Sequence, residues 1–116
     1  WENSGDEPLS GDWDLNRIYD NNGRTHPAGQ KQANEIGLYD MSGNVWEWCW
    51  DWYGEYPPDL QANPLGPDSG SIRVFRGGSW ISLAVICRVA FRNCADPGNR
   101  SLHLGFRAAF VPQSGD

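Results

Sequence analysis

Hydrophobic and polar positions alternate with a period of two in a few short windows of this chain. In the longest, Trp46, Trp48, Trp50 and Trp52 alternate with Val45, Glu47, Cys49 and Asp51. Successive side chains of a strand point to opposite faces, so this window predicts a strand with four indoles toward the core. The Glu47 and Asp51 carboxylates on its other face would meet turns or solvent. IRVFRGGSW (72–80), ICRVAFR (86–92) and LGFRAAFV (104–111) predict three further strands. Gly77 and Gly78 permit a bulge or a close backbone approach after the first of these.

The stretches between the windows are of a different kind. Residues 1–35 are rich in Asp, Asn, Gly and Pro and sustain no period, and residues 57–71 hold four Pro and two Gly. Both are predicted to be irregular loop, the first with short ordered pieces. Trp1 followed by so many turn formers has little to pack against. An upstream portion of the same domain is therefore expected to precede this chain and to associate with it.

Composition narrows the class. The 116 residues suffice for one modest core, and seven Trp, fourteen Gly and eight Pro describe a compact, loop-rich fold without long amphipathic helices. A net charge of −6 with scattered Lys and Arg argues against nucleic acid as a partner. The chain has no apolar run of the length, about eighteen residues, that reads as a membrane-spanning helix.

Candidate chemistry is sparse. Cys49, Cys87 and Cys94 are odd in number and lack zinc-ligand spacing; free, mostly buried thiols are expected in preference to a Cys87–Cys94 bridge. Neither His26 nor His103 lies in a recognised nucleophile motif. Glu47 and Asp51 share a strand face about 13 Å apart, too far for a glycosidase pair.

The ordered blocks GLYDMSGNVWEW, NPLGP, RVFRGGSW, CRVAFR and LGFR resemble the C-terminal half of domains of the formylglycine-generating-enzyme, or sulfatase-modifying-factor, type. The likeness is strong over residues 35–110 and weak before them. It implies an α+β fold of C-type-lectin-like form: short twisted antiparallel strands carrying long irregular loops, with the N-terminal part of the domain absent. Residues 1–116 would then be the C-terminal part of a single domain. In the enzymes of this family two cysteines after the GGS[YW] motif act with copper and oxygen. Here Ser82 stands in the first cysteine's place and the stretch holding the second is shortened, so catalysis is not expected and no cofactor is required. Carried over by position, Asp40 and Glu47 with the carbonyls of Gly43 and Val45 form a candidate calcium set, an alternative to their simply capping a turn.

Residues 81–103 carry a further signature. Between Ala84, Cys87 to Ala90, Arg92, Pro97 and Arg100 lie Ile81, Ser82, Leu83, Val85, Ile86, Phe91, Asn93, Cys94, Ala95, Asp96, Gly98, Asn99, Ser101, Leu102 and His103. All are reachable from an AAY codon by changing its adenines alone, whereas Lys, Glu, Gln, Met and Trp, which are not, are absent from 81–110. This resembles the variable proteins of diversity-generating retroelements, including a treponemal surface class. The resemblance implies that 81–103 is a variable segment binding a protein or cell-surface ligand, on a protein that is secreted or held at the cell surface, for instance as a lipoprotein. These residues are expected to be mostly accessible on one face, although Ile86 and Leu102 by residue type alone read as core. The alternative is an enzyme relative or accessory domain, and blander still a structural domain.

Overall fold

The computed structural model describes residues 24–110. Among them are four strands, β1 (Trp46–Trp52), β2 (Arg73–Arg76), β3 (Asn93–Ala95) and β4 (Leu104–Phe106), and a 3-10 turn at Ala84–Ile86. The strands form one sheet in the order β3-β2-β1-β4. β2 is antiparallel to both neighbours, with Trp48 opposite Phe75 and Val74 opposite Cys94. β4 is parallel to β1, Trp46 lying opposite Leu104, so the expected antiparallel arrangement does not hold at this edge. Most of the 1–35 loop lies outside the described residues, while 57–71 is irregular as its Pro and Gly content predicts.

Two expected strands are altered. Residues 86–92 are a succession of turns, held by hydrogen bonds from Cys87 N to Ala84 O and from Phe91 N to Arg88 O, and pairing starts only at Asn93. Val89, which alternation would bury, is 75% exposed. The 104–111 strand stops at Phe106 because Arg107 turns aside to donate to the carbonyls of Tyr39 and Asp40.

The indole ladder is broken for a reason visible in the register. Trp48 pairs with Phe75 and Trp52 with Arg73, so β1 spends four residues where β2 spends two. Trp50 sits in this unpaired excess, a bulge, and its side chain is 85% exposed instead of core-facing. Trp46 and Trp48 pack edge-to-face on Phe75 at 5.0 and 5.5 Å, and Phe91 lies 6.0 Å from Trp46. Each such ring pair contributes about 0.5–1.5 kcal/mol beyond its burial. Val74, 2% exposed, is the buried hydrophobic residue of the described part.

The loops at the start of β1 and the end of β2 are tied together. Asp40, Gly43 and Asn44 have positive φ of 54°, 85° and 61°. Gly43 N donates to Gly77 O at 2.7 Å and Trp80 N to Asn44 O at 2.8 Å. Gly78 has φ +72°, and a Cβ there would lie 2.4 Å from the Cys87 sulfur. The Gly pair therefore permits the close approach expected of it, and this approach brings the 81–87 turns against the sheet.

Candidate functional site

Residues 81–103 leave the sheet after Trp80, form the 3-10 turn, return as β3 on one edge and then run to β4 on the other. The two ends of this path meet at the start of β1: Trp80 and His103 pack edge-to-face at 5.3 Å, and His103 O accepts from Trp46 N at 2.7 Å. The Nδ1 atom of His103 is buried there without a hydrogen-bond partner.

None of the fifteen candidate ligand-binding residues is fully buried. Ile81, Val85, Asn93, Asp96, Gly98, Asn99, Ser101 and Leu102 are exposed; Ser82, Leu83, Ile86, Phe91, Cys94, Ala95 and His103 are half-buried. Leu102, a core residue by type, is 84% exposed because it rides the turn between Ser101 and β4. Phe91 packs against Trp46 and so belongs partly to the core cluster. Exposure does not by itself separate these positions from the fixed residues among them, since Val89, Pro97 and Arg100 are exposed as well.

Among the fixed residues of this stretch, Arg92 differs from the candidate positions in the reach of its side-chain hydrogen bond, whereas Arg88 donates locally to Val85 O. Side chains at the candidate positions hydrogen-bond no further than three residues along the chain. Ser82 Oγ accepts from Ser79 N at 2.9 Å, Asn93 Oδ1 from Cys94 N, Asp96 Oδ1 from Gly98 N, and Ser101 Oγ from His103 N. These are the local turns that Ser, Asn and Asp form with neighbouring backbone. Two arginines make distant bonds: Arg76, at the end of β2, donates to the Val89 and Phe91 carbonyls and to the Tyr56 hydroxyl. Arg92 donates to Gly54 O while stacked 4.5 Å from the Tyr53 ring centre and 3.8 Å from that of Tyr56. The guanidinium suits this work because its planar fork bonds carbonyls in its plane while its face lies on an aromatic ring. Arg92 stands among the residues that the sequence sets as framework between the candidate positions, and framework arginines are expected to hold the loops; the ring and carbonyl partners of Arg76 and Arg92 are not legible there.

Ser82 does not present its hydroxyl outward. It lies 3.1 Å from the hydroxyl of fully buried Ser79, and its N–H donates to Ser79 O. Ser82 is thus a turn-forming serine whose hydroxyl faces Ser79. Cys49, Cys87 and Cys94 form no disulfide among the described residues and are half-buried. Burial pushes the Cys49 thiol up, an effect that nearby Arg76 opposes, so it is a poor nucleophile. His26 Nε2 is 3.7 Å from Asp40 Oδ1, and reciprocal hydrogen bonds between His26 and Asn44 hold the 24–40 segment to the start of β1. Asp51 is exposed and Glu47 is engaged elsewhere.

That engagement bears on calcium. Arg107 grips Glu47 with two hydrogen bonds, Nε to Oε2 at 3.0 Å and Nη2 to Oε1 at 2.8 Å. This pairing is the main reason the Arg107 guanidinium holds its proton more tightly than usual. Asp40, 8% exposed, accepts from Gly29 N at 2.8 Å through Oδ2, while its Oδ1 is buried without a hydrogen bond. Calcium takes about six to eight oxygen ligands. Both Glu47 oxygens are bonded to the Arg107 guanidinium, so a calcium ion held by Asp40, Glu47 and the carbonyls of Gly43 and Val45 would have to displace that cation or share the carboxylate with it.

The comparisons with known proteins agree with this architecture. The model of the "Sulfatase-modifying factor enzyme 1-like domain" family matches residues 1–111. The chain is 37% identical over 107 residues to a protein named chaperone protein LppX of Paenibacillus barcinonensis, covering 92% of this chain and 35% of that one. It is 41% identical over 96 residues to the formylglycine-generating enzyme of Thermomonospora curvata, covering 76% and 32%. Among solved structures it resembles Treponema denticola variable protein 1, with a TM-score of 0.63 and 37% identity over 91% of this chain and 42% of that one. The chain thus spans about a third of the length of these curated relatives.

Proposed function

Because this chain belongs to the sulfatase-modifying factor enzyme 1-like family, whose relatives include both an enzyme and a variable protein, we propose that it works as a display domain. Residues 81–103 present interchangeable side chains that recognise a protein or cell-surface ligand. The observation that carries this reading is the division between local and distant hydrogen bonds. Side chains at the candidate positions bond only to groups within three residues along the chain, whereas Arg76 and Arg92 hold the path of the loops. A surface built this way can change its contacts and keep its shape, which is what a rigid scaffold with functional loops requires.

The exposed set mixes Ile81, Val85 and Leu102 with Asn93, Asp96, Asn99 and Ser101, the combination of apolar and hydrogen-bonding groups found in protein interfaces. A secreted or surface location suits such a role. Oxidation of a substrate cysteine is the weaker reading, because Ser82 stands in place of a reactive thiol and hydrogen-bonds inward.

The test is a library in which the eight exposed positions vary together, displayed on yeast and selected against hen lysozyme as an arbitrary protein target. The proposal expects most members to fold and specific binders to emerge. A library that is largely unfolded, or that yields no binder where a control scaffold does, contradicts it.

A further inference from the structure

The bulge that expels Trp50 from the core leaves a groove beside β1. Trp48, Cys49, Trp50, Arg73 and Pro97 line about 170 Å³ open to solvent. A cavity of about 150 Å³ holds a benzene ring, so the groove has room for one large apolar or aromatic side chain. Three of its walls are two indoles and a proline ring. The fourth is the Arg73 guanidinium, lying 3.5 Å from the Trp52 ring centre and 4.9 Å from that of Trp50.

The Arg73 side chain makes one hydrogen bond among the described residues, from Nη1 to the Trp50 carbonyl. Of its five N–H donors, the others have no hydrogen-bond partner among the described residues and stand available to what enters the groove. No carboxylate lines the groove; Asp96, beside Pro97, turns its Oδ1 to Gly98 N. In a chain of net charge −6 this is a local positive point with an apolar floor.

We infer that the groove is an anchor site for a protein segment in which an apolar or aromatic side chain stands next to a carboxylate: the side chain fills the space between Trp48, Trp50 and Pro97, and Arg73 takes the carboxylate. A sugar is the poorer occupant, because its hydroxyls need several well-placed polar partners and the lining offers a guanidinium and a weakly bonding thiol. Pro97 sits between the display residues Asp96 and Gly98, so the anchor is continuous with the variable surface. The assignment of a protein ligand rests on the display reading. The groove would add an unvarying contact of the Trp and Arg kind that dominates protein interfaces.

The experiment titrates the protein with N-acetyl-L-phenylalanine, its amide and N-acetylneuraminic acid, following the indole N–H signals by NMR. The acid is expected to bind saturably in the millimolar range, shifting the Trp48 and Trp50 signals, and to bind about tenfold more tightly than the amide, the factor expected for a charged hydrogen bond. Trp50→Ala should abolish binding without unfolding, since the ring is exposed; Arg73→Gln should make acid and amide equal, and Arg73→Lys should keep part of the preference. Absence of a saturable shift at those indoles, equal affinities in the unaltered protein, or a response to the sugar alone would overturn the inference. Because the probes do not involve residues 81–83 or 101–103, failure here leaves the display reading to the library selection.

Discussion

Arg107 holds Glu47 through two parallel hydrogen bonds and, with the same guanidinium, the carbonyls of Tyr39 and Asp40. One side chain after β4 thereby closes the loop that enters β1 and occupies the carboxylate that a calcium ion would need. Hydrogen bonds to charged groups contribute about 1.5–3 kcal/mol, less where solvent screens them, as it does at this partly exposed pair.

Arg107→Ala should therefore lower stability by about 1–3 kcal/mol in chemical denaturation. Adding calcium in place of a chelator should leave the melting temperature of the unaltered protein unchanged. A rise of several degrees with calcium would show that the ion displaces the guanidinium.

Trp46, Trp48 and Trp50 of β1 should divide into two classes. Trp46→Ala or Trp48→Ala removes a ring packed on Phe75 and should cost about 3–5 kcal/mol. Trp50→Ala removes an exposed ring whose close partner is the Arg73 guanidinium and should cost about 1 kcal/mol or less. Equal losses in urea denaturation would contradict the bulge.

Cys49 should react slowly. Burial holds its thiol protonated above the ordinary range, so alkylation by iodoacetamide at pH 8, followed by mass spectrometry, should lag behind that of a free cysteine peptide. The linkage runs with the same sign. Stability gained by keeping this thiol neutral is fully present below the unfolded pKa and is lost as pH rises through the folded one. Alkylation of Cys49 as fast as the peptide would refute the assignment.

Much of the fold was legible in the residues, and the exceptions have physical causes. The Trp alternation located β1, but alternation reports the chain's own period and not the length of its partner. That β2 spends two residues against four, and so expels Trp50, is a property of the pair. Cys87, Val89 and Phe91 alternate with Ile86, Arg88 and Ala90 as in a strand, yet Cys87 is drawn against Gly78 and the chain turns there instead. The parallel placement of β4 is set by the Trp46–Leu104 register and by Arg107, two contacts far apart in sequence. The candidate segment was legible as a coding pattern, but the inward turn of Ser82 and the outward position of Leu102 were not, because each depends on a turn that its neighbours form.

The central claim is that the shape of the 81–103 path depends on the arginine clamps and not on the displayed side chains. Thermal unfolding of two variants tests it most directly. In one, Ile81, Val85, Asn93, Asp96, Asn99, Ser101 and Leu102 are all replaced by other residues reachable from an AAY codon; in the other, Arg76 and Arg92 become Gln. The first should melt within about 5 °C of the unaltered chain and the second more than about 10 °C below it, given several degrees per kcal/mol for a domain of this size. Collapse of the first variant, or indifference of the melting temperature to loss of the two arginines, would contradict the account.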